Sequence, residues 1–274
     1  MTREQLISEI KAKGSYLCVG LDSDIEKIPP HLLSKPDPQF SFNKQIIDAT
    51  LEHCVAYKIN TAFYESLGPK GWESLQKTVQ YIPPTHFTIA DAKRGDIGNT
   101  ANQYAKAFFK TLNFDAVTVA PYMGADSIVP FMKYEGKWTI LLGLTSNPGA
   151  EDFEMLNTGK HRLYEEVMKK AAGWGNTGNL MFVIGATRAD VFSEIRKTYP
   201  DHFFLVPGVG AQGGSLKEIS AKGLNTDAGL LVNASRTIIF ASSTTDFAAA
   251  AAKEANSYHN EMRHYLTFPA SGIK

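Results

Sequence analysis

The 274-residue chain contains only two cysteines, Cys18 and Cys54. That is too few for a disulfide framework or a metal knuckle, and both lie in apolar stretches that suit buried thiols. No apolar run approaches the roughly 18 residues of a membrane span. The first residues lack the apolar core of a secretory signal. A cytoplasmic setting without a membrane partner is therefore expected. An excess of one charge is missing too, since Lys+Arg and Asp+Glu each number 28. With no net field, nothing draws the chain to nucleic acid or to an anionic surface. None of the seven histidines belongs to a His-Glu-x-x-His pair, and neither a Gly-x-Ser-x-Gly elbow nor a Walker loop occurs. Nothing calls for a metal, a nicotinamide or a flavin, so no cofactor is expected.

What the chain has is alternation. An amphipathic helix is predicted over 2–13, with Leu6, Ile7 and Ile10 as its apolar stripe and Gly14 as its stop. Strands are predicted over 16–22, 55–60, 87–91, 116–119, 139–144, 180–185, 203–206 and 229–232. Helices are predicted near 42–53, 69–80, 98–112, 126–134, 163–173, 189–198, 216–222 and 246–265, with a polar insertion over 145–160 and an irregular tail over 267–274. The strands are continuous apolar runs, the pattern of parallel strands buried on both faces. Eight strand–helix units without a break in composition predict one α/β domain over 1–274, a (β/α)8 TIM barrel with an N-terminal helix. An open doubly wound sheet is the alternative. It would place a Gly-rich turn after its first strand. Here that position reads Leu21-Asp22-Ser23-Asp24, and the glycines follow the seventh strand instead.

Charge collects at predicted strand ends. Asp22 closes the first strand, Lys58 lies in the second, and Asp91, Lys93 and Asp96 crowd the end of the third. In a barrel these ends converge on one mouth. Alone, each has an ordinary explanation: Asp91 or Asp96 could cap a helix, and Lys58 could snorkel to solvent. Five such charges ending three successive units point instead to a functional cluster. A second motif, Val206-Pro207-Gly208-Val209-Gly210-Ala211-Gln212-Gly213-Gly214, offers backbone amides to an anion or is a flexible turn. Arg236, after the eighth strand, adds a guanidinium fork suited to phosphate. Together they match the usual barrel phosphate site and predict a small phosphorylated substrate. Thr145-Ser146-Asn147-Pro148-Gly149 could read a base or sugar edge, or be an ordinary polar turn.

The pattern Asp91-x-Lys93-x-x-Asp96-Ile97-x-x-Thr100 resembles the hallmark of the orotidine 5′-phosphate decarboxylases. The resemblance covers nearly the whole chain, including Asp22, Lys58, Ser146, Pro207–Gln212 and Arg236, and is nearest to the longer bacterial subgroup. It implies cofactor-independent conversion of orotidine 5′-phosphate to uridine 5′-phosphate. It further implies that Asp22 and Lys58 hold the ribose and join the charge array, and that Asp91 lies against the substrate carboxylate. Lys93 would stabilise the carbanion and protonate carbon 6. Asp96 and Thr100, with Ile97 in the same binding segment, would reach a neighbouring site in an obligatory homodimer. Ser146 would contact the pyrimidine, Pro207, Gln212 and Arg236 would take the phosphate, and the insertion and the loop after the seventh strand would close as lids. Two other readings compete. Magnesium-dependent phosphosugar enzymes of the same superfamily share Asp-x-Lys-x-x-Asp but place an acidic metal ligand where this chain has Lys58. A non-catalytic phosphosugar-binding barrel would need neither Asp91 nor Lys93.

Overall fold

The computed structural model describes residues 1–210 and 213–267. Its core is a closed barrel of eight parallel strands in sequential order: β1 (Leu17–Gly20), β2 (Ala56–Asn60), β3 (Phe87–Arg94), β4 (Ala116–Val119), β5 (Trp138–Leu144), β6 (Leu180–Ile184), β7 (Phe203–Pro207) and β8 (Leu230–Ala234). The α-helices, in chain order, are α1 (Arg3–Lys13), α2 (Pro38–Thr50), α3 (Ala62–Glu65), α4 (Pro69–Tyr81), α5 (Gly98–Lys106), α6 (Ala125–Met132), α7 (Leu163–Ala172), α8 (Ala189–Thr198), α9 (Leu216–Gly223), α10 (Arg236–Ile239) and α11 (Phe247–Thr267). The predicted (β/α)8 barrel is therefore the observed fold. Its strands are buried along almost their whole length. Inward side chains fill the barrel and outward ones pack against the helices, which is why the strands read as unbroken apolar runs.

Local chemistry sets the element ends. Thr2 caps α1 in a reciprocal box with Gln5, and Gly14 stops the helix at φ +63°. That helix crosses the floor of the barrel. Arg3 donates to Thr177 O at 2.8 Å and pairs with Asp227 at 3.0 Å, on the loops that enter β6 and β8. Helix α2 starts at Pro38, four residues before its predicted start, because Asp37 caps it and Pro38 fits the first turn. The predicted helix over 98–112 is two segments. After α5 the chain widens into a π turn over Ala107–Thr111, which buries the adjacent Phe108 and Phe109. Strand β3 runs three residues past its predicted end, to Arg94. The tail beyond Thr267 lies outside the described residues.

The floor has its own polar anchor. Arg196 on α8 is 8 % exposed and lies over Phe204 at 3.9 Å. It donates to the carbonyls of Tyr199, Pro200, His202, Gly223 and Gly229 at 2.6–3.2 Å, tying α8 and α9 to the starts of β7 and β8. Replacing it with leucine leaves those buried carbonyls without donors. R196L is expected to cost about 3–5 kcal/mol in urea unfolding. The mouth, at the other end of the barrel, should keep its structure in the folded variant. A penalty below about 1 kcal/mol would contradict the anchor.

Candidate active site

The C-terminal strand ends open into one cavity of about 330 Å³. It brings together Asp22, Lys58, Asp91, Lys93, Ser146, Pro207 and Arg236, seven of the residues singled out from the sequence. Asp96, Ile97 and Thr100 lie outside it, in the turn after β3 and the first turn of α5. Asp96 is half-buried and accepts the Ile97 N–H at 2.7 Å, while Ile97 is 53 % exposed. Gln212 lies outside the described residues.

The barrel register puts the charges in line. Gly20 is level with Lys58 on the neighbouring strand, and Asn60 is level with Asp91. The Lys58 ammonium reaches up from the lower level. It donates to Asp91 Oδ2 at 2.7 Å and lies 3.5 Å from Asp22 Oδ1, an ion pair without hydrogen-bond geometry. On the other side, Lys93 donates to Asp91 Oδ1 at 2.6 Å. The sequence of charges is therefore carboxylate, ammonium, carboxylate, ammonium. Lys58 is buried, the Asp91 side chain is 11 % exposed, and Lys93 is half exposed at the solvent end.

Burial alone would push the Asp91 carboxyl up, but the Lys58 and Lys93 ammoniums outweigh it and hold it far below the usual carboxylate range. Burial likewise opposes charge on Lys58, and Asp22 and Asp91 override it, raising the ammonium above its ordinary value. Both groups are therefore charged across the whole neutral range.

The opposite wall is different in kind. Leu142, Val183 and Leu205 face the cavity from β5, β6 and β7. Beyond β7, the Gly214 N–H donates to Gly208 O at 3.2 Å, and Gly208 has φ +94°. Arg236 follows β8 at the same rim. Ser146 approaches the end of β6 so closely that a Cβ on Gly185 would lie 2.7 Å from its amide nitrogen, so only glycine fits there. The insertion is tied down at its start, where Glu154 accepts the Thr145 N–H at 2.7 Å and its hydroxyl at 2.8 Å. Arg188, on the loop after β6, pairs with Glu151 at 3.1 Å.

Four polar residues of the cavity were given no role from the sequence: Asn60, Thr118, Asn233 and Ser235. Thr118 and Asn233 each interrupt an apolar strand, while Asn60 ends the strand that carries Lys58. That interruption was the available signal. Thr118 carries the most contacts, donating to Asp91 Oδ1 at 3.0 Å and accepting the Lys93 N–H at 2.9 Å. Among the described residues no group of three or more His, Cys, Asp or Glu is placed to hold a metal ion.

A parallel barrel with a line of paired carboxylates and ammoniums on one wall of its mouth, and Pro207, Gly208 and Arg236 on the other, defines the class: a (β/α)8 barrel with a charged C-terminal site. Within that class the chain belongs to the orotidine 5′-phosphate decarboxylase / HUMPS family, whose model matches residues 15–252. It is 59 % identical over 269 residues to the orotidine 5′-phosphate decarboxylase of Flavobacterium johnsoniae, covering 97 % of this chain and 98 % of that protein. It is 56 % identical over 270 residues to the enzyme of the same name from Phocaeicola vulgatus, covering 97 % and 99 %. The structure of Leishmania donovani OMP decarboxylase superposes with a TM-score of 0.82 at 39 % identity, covering 96 % of this chain and all of that one.

The charge line has a pH signature. The folded Asp91 carboxyl lies below its unfolded value of about 4, so its contribution to stability is present above that pH and is lost as pH falls toward the folded value. Lys58 is shifted up, so its contribution is present below its unfolded value and fades as pH rises past it. D91N, measured by urea unfolding, is expected to cost about 3 kcal/mol at pH 7. At pH 3 the cost should be about 1 kcal/mol smaller, since the unfolded wild-type carboxyl is then largely protonated. Equal penalties at the two pH values would contradict the assigned shift.

Proposed function

We propose that this chain decarboxylates orotidine 5′-phosphate to uridine 5′-phosphate in pyrimidine biosynthesis, without a cofactor, as a cytoplasmic homodimer. The observation that carries the reading is the paired Asp22–Lys58–Asp91–Lys93 line facing Pro207, Gly208 and Arg236 across one cavity. Phosphate on the second wall puts the base against the first. Ser146, on the rim between them, contacts the pyrimidine edge. Asp22 and Lys58 hold the ribose. Gln212 joins Arg236 on the phosphate.

The chemistry follows from the charges. Loss of carbon dioxide from carbon 6 leaves an electron pair on a ring carbon with no electron sink. The Lys93 ammonium, fixed by Asp91 beside that carbon, stabilises the pair and then delivers its proton to it. One ammonium at about 4 Å is worth about 4 kcal/mol at an effective dielectric of 20, whereas enzymes at the upper end remove roughly 20 kcal/mol of barrier. The rest comes from the preformed array and from phosphate binding that holds the lids closed, so that remote contacts serve the transition state. Asp91, already ionised, meets the substrate carboxylate as a second negative charge and favours its departure.

Asp96 and Thr100 serve the partner's site. Both lie outside their own cavity, and the adjoining rim exposes Ile97, Tyr122, Met123 and Phe153, with Tyr122 89 % exposed. Apolar groups gathered on a rim beside a functional loop suit an interface between copies. The magnesium-dependent alternative is disfavoured by Lys58, whose ammonium occupies the space between Asp22 and Asp91 where a divalent cation would need oxygen ligands.

Purified protein should consume orotidine 5′-phosphate in excess chelator, followed by pyrimidine absorbance. K93A should lower kcat at least about a thousandfold, and R236A should raise KM about 10- to 100-fold. Turnover that requires magnesium, or none at all, would overturn the reading. A second test mixes K93A with D96A. If sites are shared, half the equilibrated dimers are hybrids with one intact site each, giving about a quarter of wild-type activity. If Asp96 acts in its own barrel, the mixture stays inactive.

A further inference from the structure

At Lys93 the backbone leaves the geometry of a strand. Its φ is +46°, in the left-handed region, and only Asn113 and Ala228 share a positive φ among the described non-glycine residues. Such a conformation costs about 1–2 kcal/mol for a residue with a Cβ. The pairing of β3 with β4 shifts at the same place. Ala90 pairs with Val117 but Arg94 pairs with Val119, so Asp91, Ala92 and Lys93 bulge opposite the single residue Thr118.

Thr118 is 1 % exposed. Its hydroxyl supplies what the broken ladder lacks. It accepts the Lys93 N–H at 2.9 Å and donates its proton to Asp91 Oδ1 at 3.0 Å. The same Asp91 oxygen receives the Lys93 ammonium at 2.6 Å. The direction of each bond is forced: an amide N–H can only donate and an ionised carboxylate can only accept. One hydroxyl thus fixes the backbone of Lys93 and the carboxylate that its own side chain meets.

We propose that Thr118 is a positioning residue for the decarboxylation, its hydroxyl holding the β3 bulge so that Lys93 and Asp91 keep a fixed relation before substrate arrives. This rests on the reading of the site given above. Valine has the same shape and neither function. It would take the partner from a part-buried N–H and remove the contact that sustains the left-handed backbone. Lys93 would then relax toward strand geometry and its ammonium would shift. Displacements of about 1 Å in a catalytic group cost up to about a hundredfold in rate. Phosphate and ribose contacts lie elsewhere, so binding would be spared.

The test compares T118V and T118S with wild type. T118V is expected to lower kcat about 10- to 100-fold with KM changed less than about threefold, while T118S stays within about threefold of wild type. The Lys93 backbone amide should exchange with solvent at least about tenfold faster in T118V than in wild type or T118S. Wild-type kcat in T118V, or a T118S as slow as T118V, would overturn the proposal, because the methyl group rather than the hydroxyl would then matter. If T118V does not fold, T118A against T118S makes the same comparison. If wild type fails to turn over orotidine 5′-phosphate, the reaction assigned to the site is wrong. The amide exchange of Lys93 then still decides whether the hydroxyl holds the bulge.

Discussion

A carboxylate held ionised between two ammoniums is the constraint on which this molecule turns. Asp91 is largely shielded from water, and a lone carboxylate so placed would take up a proton rather than bear the cost of desolvation. Lys58 below and Lys93 above prevent that. Lys58 is itself buried and is retained as a cation only because Asp22 and Asp91 flank it. The line is stable as a set and not piece by piece. Its one half-exposed member is Lys93, at the end that opens to the cavity. A site built this way spends folding energy on charge placement, so little reorganisation is left for the moment of reaction.

The barrel supplies what such a line needs. Parallel strands bring residues remote in sequence to one level, as with Asn60 beside Asp91. Glycine at the end of β1 keeps the neighbouring loops close: a Cβ on Gly20 would lie 1.8 Å from the Ser235 hydroxyl oxygen. The apolar wall of Leu142, Val183 and Leu205 lowers the polarisability of the surroundings, which strengthens every charge interaction across from it. Charged and apolar walls therefore act together, one placing the field and the other limiting its screening.

Much of this was legible in the chain before folding was considered. Eight apolar runs alternating with amphipathic segments define the barrel because each strand is covered on both sides. Asp22, Lys58, Asp91 and Lys93 stood out because charge at the end of an apolar run is costly unless used. The bulge did not stand out. It is a property of pairing between β3 and β4, and nothing local in Asp91-Ala92-Lys93 announces it. Thr118, Asn60 and Asn233 were missed for a related reason: a neutral polar residue in a strand carries no sign of whether it faces a cavity or a helix. The short helices α3 and α10 were missed because one turn has no periodicity to detect, and the start of α2 was misplaced because Asp37-Pro38 reads equally as a loop or a cap.

The most direct test of the central claim is the ionisation of Asp91 itself, followed through its carboxyl carbon by NMR in the ligand-free protein as pH is lowered from 7. The account predicts no change in that resonance through pH 4 and down to the onset of acid unfolding, because two ammoniums hold the group charged. A titration midpoint near the ordinary carboxylate value of about 4 would contradict it.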